Sequence, residues 1–257
     1  VSLFIDVGTN GEAAVGNADF LLACACSAGP AFEGAGLSCG MRAAKGAVES
    51  VTVAPDTGEP ELSVIGHGPP RGLCGSGAIS LLAQLYTSGW LDAAGRLDRN
   101  RQSPRIRLNG RKAEYVLAFE GEGPEITLTE NDIDAAIRAK AAIFAGCRHL
   151  LSQVGLDFPD LDRVVVAGGF GRFLNVEAAI TIGLLPDLNR NQFHFAGNAS
   201  LQGAESTLRN RHDRNRLKNL SSRTTYLDLS TDTSYMDQYT AAAFLPHTEA
   251  GLFPSVR

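Results

Sequence analysis

No stretch of this chain approaches the roughly 20 uninterrupted apolar residues of a membrane-spanning helix, so no such helix is expected. Basic residues are not in excess either. With 23 Lys and Arg against 28 Asp and Glu, the formal charge is −5 and the pI near 5.6. That balance lacks the cationic footprint of a general nucleic-acid binder. The five cysteines, Cys24, Cys26, Cys39, Cys74 and Cys147, include no C-x-x-C pair and no ferredoxin-like run. Their spacing argues against an internal zinc site or iron–sulfur cluster, and they read as small core residues in a reducing cytoplasm. The first residues are already strand-like and show no basic start, apolar middle and cleavage site of a signal peptide. Internal repeats and low-complexity tracts are absent. What remains, at 257 residues and 44% hydrophobic content, is an ordinary globular chain with length for a sizeable core.

The chain is organised around its opening residues. Leu3 to Val7 is an apolar run of strand length. A turn built from Asp6, Gly8, Thr9, Asn10 and Gly11 leads into a second short run, Ala13 to Gly16. An acid, two glycines and a hydroxyl at such a turn suit a phosphate. Glycine lets backbone N–H groups approach, Thr9 donates a hydrogen bond, and Asp6 holds a magnesium-bound water. A purely structural turn is the competing reading. Asp19 to Cys26 reads as a third strand. After it, Pro30 opens a short helix that Ser27 or Gly29 caps. The start of that helix is expected to face the Asp6 turn. Glu33 then becomes a carboxylate beside a phosphate, or else a solvent-facing helix residue.

From about residue 44 to 128 the pattern is less regular and reads as an α+β insertion beside the main sheet. Val51 to Ala54 and Leu62 to Ile65 are expected as strands. The Gly75-Ser76-Gly77 turn leads into a helix from Ala78 to about Ser88, whose start would either bind an anion or serve packing. Asp92 to Lys112, rich in Arg, Asp, Asn and Gly, reads as exposed loop, and Tyr115 to Phe119 and Glu125 to Leu128 as strands. The clearest helix is Glu130 to Val154, with Thr129 and Asp132 in a capping box and a buried stripe of Ile133, Ile137, Ala141, Phe144, Cys147, Leu151 and Val154. Arg138 and Lys140 stand off that stripe and are read as solvated, with reach to a nucleotide as the alternative. Asp162 to Ala167 is a β-branched strand broken by Gly168-Gly169, and Asn175 caps the next helix. Asn198 to Leu208 is a further helix. Arg209 to Arg223, with six Arg or Lys and one acid, reads as a solvated helix face, with partner docking as the alternative. Tyr226 to Leu229 is expected as a last strand and Tyr235 to Phe244 as a last helix. The apolar loop after it is expected to pack down.

Strand, Asp-x-Gly-Thr turn, strand, long helix, then a strand ending in Gly-Gly resembles one ribonuclease-H-like half of an actin-like ATPase fold. Proteins of that fold include acetate and sugar kinases, heat-shock chaperone ATPases and actin. The wording is narrower still. Asp6-Val-Gly-Thr-Asn-Gly-Glu12, Ser27-Ala-Gly-Pro-Ala-Phe-Glu-Gly34, Gly72-Leu-Cys-Gly-Ser-Gly77, Val166-Ala-Gly-Gly-Phe-Gly171 and Phe244-Leu-Pro-His247 together resemble the reductive activators of corrinoid proteins.

That resemblance implies an α/β fold and ATP-driven return of inactive Co(II) corrinoid to Co(I) for methyl transfer. The electron comes from an iron–sulfur cluster on a ferredoxin-like domain that this chain does not contain. The chain is accordingly read as the C-terminal portion of a longer protein, poor in ATP turnover by itself. The resemblance makes Asp6, Gly8, Thr9 and Asn10 a phosphate loop, with Asp6 at the magnesium, and Gly168, Gly169 and Gly171 an adenosine loop. Glu33 as a catalytic group and Gly75, Ser76 and Gly77 as a phosphate contact rest on placement alone. Mg-ATP is the implied cofactor and the corrinoid protein of a methyltransferase system the implied partner, with neither nucleic acid nor membrane. A docking or homodimerisation module with a vestigial nucleotide site is the alternative. A sugar-type kinase, or an activator of another low-potential enzyme, lacks matching motifs.

Overall fold

The computed structural model describes residues 1–121, 123–169 and 174–256. Strand β1 (Ser2–Val7) alternates strictly. Leu3, Ile5 and Val7 enter the core, while Ser2, Phe4 and Asp6 take the other face and remain half-buried. It pairs antiparallel with β2 (Gly11–Gly16), which pairs antiparallel with β3 (Leu21–Ala25). A short 3-10 turn, Pro30–Glu33, follows. Of the two candidate caps, Gly29 takes the position, at φ 73°, and no side chain bonds the turn's first amides.

Between this turn and the long helix lie two three-stranded sheets. The first contains β4 (Ala47–Val53), β5 (Pro60–Val64) and β6 (Gly72–Leu73), and α1 (Gly75–Thr87) packs on β4. The second contains β7 (Ile106–Asn109), β8 (Lys112–Ala118) and β9 (Ile126–Thr129).

Asp92 to Lys112 is not the exposed loop expected from its composition. Leu91 and Leu97 are buried, and Ile106–Asn109 is a strand paired with Lys112–Tyr115. The arginines misled because several serve the interior edge. Arg99 bonds the buried Glu130 at 2.9 Å, and Arg101 lies 4.5 Å over the ring of the buried Trp90.

Helix α2 (Glu130–Ser152) starts where the capping box placed it. Asp132 Oδ2 accepts from Thr129 N at 2.9 Å, and the Thr129 hydroxyl accepts from Asp132 N at 3.2 Å. The Asp132 carboxylate also accepts from Ser38 N and Ser38 Oγ, both at 2.7 Å, tying the loop after Glu33 to the helix. Burial works against that charge, yet the bonds from Thr129 and Ser38 hold the carboxyl below its usual range.

Helix α2 packs between the β2–β3 face and α6 (Thr233–Ala242), so it is buried on nearly every side rather than along one stripe. Lys140 therefore is not solvated, contrary to expectation. It is 1% exposed, and its Nζ donates to Phe244 O at 2.5 Å and Pro246 O at 2.6 Å. Arg138 is exposed. The loop held by Lys140 packs down through Leu245, His247 and Phe253.

Strand β10 (Arg163–Gly168) runs parallel to β1 with Asp6 opposite Ala167 and Val7 opposite Gly168. Helix α3 (Val176–Thr181), capped by Asn175, leads to β11 (Phe193–Gly197), a parallel edge strand that the sequence did not announce. Helices α4 (Ala199–Arg209) and α5 (Arg211–Arg223) follow, then β12 (Thr224–Tyr226), parallel to β3. The last strand thus ends earlier than expected, and Leu229–Thr231 is a 3-10 turn.

The main sheet has six strands in the order β11-β10-β1-β2-β3-β12. Since β3, β1, β10 and β11 run the same way, their C-terminal ends and the β1–β2 turn share one rim. All five cysteines are unpaired, and Cys24, Cys26 and Cys147 are buried between β3 and α2. Burial pushes the Cys147 thiol well above its usual value, which suits inert core packing.

Candidate functional site

The rim gathers most of the residues singled out from the sequence. The hairpin register that sets Val7 against Gly11 leaves Gly8, Thr9 and Asn10 as the turn, with Thr9 and Asn10 exposed. Glu33, carried by the 3-10 turn after β3, reaches over it, and Thr9 Oγ1 donates to Glu33 Oε2 at 2.5 Å. A Cβ placed on Gly8 would lie 3.5 Å from Glu33 Oε1. The Gly8 N–H donates to Asn10 O at 3.0 Å, so this amide is spent inside the turn.

On the other side of β1, Gly168 ends β10 with φ 107°, and a Cβ there would fall 2.2 Å from Val7 O and 2.9 Å from Asp6 Oδ1. Only glycine permits β10 to end this close to Asp6. Over Gly169, by contrast, an added Cβ would meet no described atom within 4 Å, so the position after Gly168 is open. Gly171 lies outside the described residues.

Two further groups join the site. Glu12 stands directly opposite Asp6 in the β1–β2 register, so both carboxylates project from the same sheet face. Burial first, and then the Asp6 charge, push the Glu12 carboxyl upward. Ser200, in the first turn of α4, donates its hydroxyl to Asp6 Oδ2 at 3.2 Å. Glu12 was within reach of the sequence, because a turn centred on Thr9 pairs residues 6 and 12. Ser200 was not, since its approach depends on β11.

The structure sets Gly75, Ser76 and Gly77 on the helix that packs both on β4 and against the Pro30–Glu33 turn carrying Glu33. They begin α1, where a Cβ on Gly77 would strike Val48 O at 2.1 Å, so that glycine serves the packing of α1 on β4. The preceding Leu73 N donates to Cys39 O at 2.8 Å, and Met41 N donates to Leu73 O at 3.0 Å. The motif therefore braces the loop that follows Glu33.

Asp6, Glu12 and Glu33 make the rim acidic, which calls for a cation if an anion is to sit there. Among the described residues no group of three or more His, Cys, Asp and Glu side chains is placed to share one metal ion. Magnesium that rides on a nucleotide needs no such cage. One or two carboxylates, phosphate oxygens and water complete its shell, and Asp6, a half-buried carboxylate at the rim beside Gly168, fits that requirement. The cysteines form no set for an iron–sulfur cluster. Cys24 and Cys26 lie with sulfurs 3.9 Å apart in the core, and Cys39 and Cys74 sit on other elements.

The family described as the C-terminal domain of RACo, the ASKHA domain, matches residues 1–257. Among curated proteins, the chain is 38% identical over 213 residues to the corrinoid activation enzyme RamQ of Eubacterium limosum, covering 79% of this chain and 36% of that protein. It is 29% identical over 223 residues to the Co(II) methylated amine-specific corrinoid protein reductase of Methanosarcina barkeri, covering 78% and 37%. A solved structure of a reductive activator for corrinoid, iron-sulfur protein superposes over all of this chain and 41% of that one, with a TM-score of 0.94 and 49% identity. The chain spans a little over a third of the length of the two curated relatives. Matched from end to end and sharing that architecture, it belongs to the family of RACo C-terminal domains, with the α/β fold of an actin-like ATPase.

Proposed function

We propose that this chain is the nucleotide-binding C-terminal part of an ATP-dependent reductive activator, which returns Co(II) corrinoid proteins of a methyltransferase system to Co(I). The observation that carries the reading is the single rim on which Thr9 bonds Glu33 and the end of β10 at Gly168 closes on Asp6. The named relatives act on corrinoid proteins, which supports the partner.

Asp6 orients a magnesium-bound water. Thr9 turns its hydroxyl from Glu33 to a phosphate oxygen, and the freed Glu33 carboxylate orients the attacking water and takes its proton. Gly168 and Gly169, at the end of β10, would take the adenosine. Mg-ATP, when bound, supplies the free energy of hydrolysis to ADP and phosphate, with positioning and electrostatics doing the protein's share. The partner's Co(II) gains one electron to become Co(I). That electron would come from a reduced iron–sulfur cluster elsewhere in the longer protein.

The test is loss of the Co(II) corrinoid spectrum in a mixture of full-length protein, its corrinoid protein and a low-potential reductant. Co(II) is expected to disappear in step with ATP consumption and to persist without ATP. Equal rates with and without ATP would sink the reading and leave a docking module with an inherited, unused nucleotide turn.

A further inference from the structure

The helical hairpin α4–α5 has no buried residue. Leu201, Leu208, Leu217 and Leu220 are 63%, 78%, 53% and 48% exposed. Leu201 and Leu208, seven residues apart, share one face of α4, and Leu217 and Leu220 are neighbours on α5. Scattered exposed leucines are ordinary, but here they fall on two adjacent helices that contribute nothing to the core.

The hairpin is nonetheless fixed in place. Asn198 caps α4 at Leu201 N (2.9 Å), Asn210 caps α5 at His212 N (2.9 Å), and Ser206 Oγ donates to Asp213 at 2.6 Å. Its two ends are tied to opposite edges of the six-stranded sheet, β11 before it and β12 after it. It therefore crosses the second sheet face, where Phe4, Ala14 and Val165 stay half-buried.

We infer that this hairpin docks the corrinoid protein through an apolar patch on that partner ringed by acidic side chains. The inference takes the identity of the partner from the function proposed above. Charge selects the occupant. Helix α5 carries Arg211, Arg214, Arg216, Lys218 and Arg223 against one acid, Asp213, in a chain whose formal charge is −5. An acidic surface complements it, whereas a second copy would set one basic helix against another. An anionic membrane would satisfy the charge, but α5 offers only Leu217 and Leu220 as large apolar side chains, too few for an interfacial helix. The hairpin is also joined to the nucleotide rim. Ser200, which bonds Asp6, lies one residue before Leu201, so a change at Asp6 is felt by the helix that presents Leu201 and Leu208.

Calorimetric titration of the corrinoid protein into the full-length activator tests the assignment, using the pairs Leu208→Ser/Leu217→Ser and Arg214→Glu/Arg216→Glu. Thermal midpoint and Mg-ATP affinity, read on the same samples, report folding and the nucleotide site. Each pair is expected to weaken the corrinoid protein by about tenfold or more with both controls unmoved, and charge reversal to remove the salt dependence of association. Wild-type affinity in both variants overturns the inference. So does a change in sedimentation alone, which would assign the hairpin to a second copy. Binding to phosphatidylserine vesicles that only Arg214→Glu/Arg216→Glu abolishes, with the corrinoid protein still bound, overturns it in favour of a membrane. Failure of the wild type to reduce Co(II) strikes the proposed function instead, and absence of any wild-type binding strikes both.

Discussion

Lys140→Met is expected to destabilise the chain by about 2–4 kcal/mol at pH 9 and by clearly less at pH 6. Lys140 donates to two carbonyls, Phe244 O and Pro246 O, inside the core. Methionine fills the same volume but leaves both acceptors without a donor. Burial lowers the lysine from its ordinary 10.5 to about 7. A neutral amine keeps two N–H groups, so both bonds survive deprotonation while the buried charge disappears.

The sign follows. Between about pH 7 and 10.5 the unfolded chain binds more protons than the folded one, so wild-type stability rises with pH across that window. Methionine removes the dependence, and the gap between the two proteins widens as pH increases. Urea unfolding at the two pH values measures it. A difference that stays constant, or is absent, would mean that the loop after α6 does not rely on Lys140. The neighbouring His247 titrates below this window, between about pH 4 and 6.5. Burial, with Lys140 beside it, pushes its pKa down to about 4, and its Nδ1 accepts from Glu249 N at 2.9 Å as a neutral ring should.

The second large effect is on turnover. In the full-length protein, Asp6→Ala is expected to lower ATP-dependent phosphate release by at least about a hundredfold, the scale lost when one electrostatic group leaves a phosphoryl-transfer site. Its thermal midpoint should move by no more than about 2 °C, because the Asp6 side chain is half-buried and its bond to Ser200 is an exposed one. Loss of Asp6 also relieves Glu12 of the charge opposite it. A small gain of carboxylate character at Glu12 cannot replace Asp6 if the phosphate lies on the β10 side of the turn. Phosphate release within a few-fold of wild type would place the magnesium elsewhere.

The rim was legible where local pattern and tertiary role coincide. Leu3, Ile5 and Val7 alternate because one sheet face is buried, and that alternation fixes the turn at Gly8 to Asn10. Thr129 and Asp132 announced α2 because capping is a local interaction. Gly168 was legible as a strand end, though not its reason, which is the approach of Val7 O from a strand some 160 residues away in sequence.

What stayed hidden depends on contacts that no local pattern carries. Phe193–Gly197 contains no β-branched residue, and becomes a strand because β10 offers it an edge. Lys140 reads as solvated from sequence because it lies off the main apolar stripe of α2. The helix is in fact covered on both sides, by the sheet and by α6, and the lysine ends at carbonyls more than 100 residues downstream. The Arg-rich stretch before β8 reads as loop because the partners of its charges are not local, and Glu130, lying beyond that strand, is one of them.

The most direct measurement is calorimetric titration of Mg-ATP into the full-length protein, wild type beside Gly169→Val. An added Cβ at Gly169 meets no described atom within 4 Å, so valine should be accepted by the fold while occupying the space in which the nucleotide is placed. Binding by the wild type, lost in Gly169→Val at an unchanged thermal midpoint, is the expected result. Equal affinity in the two proteins, or no binding by the wild type, would contradict a nucleotide lying across the Asp6 turn and the end of β10.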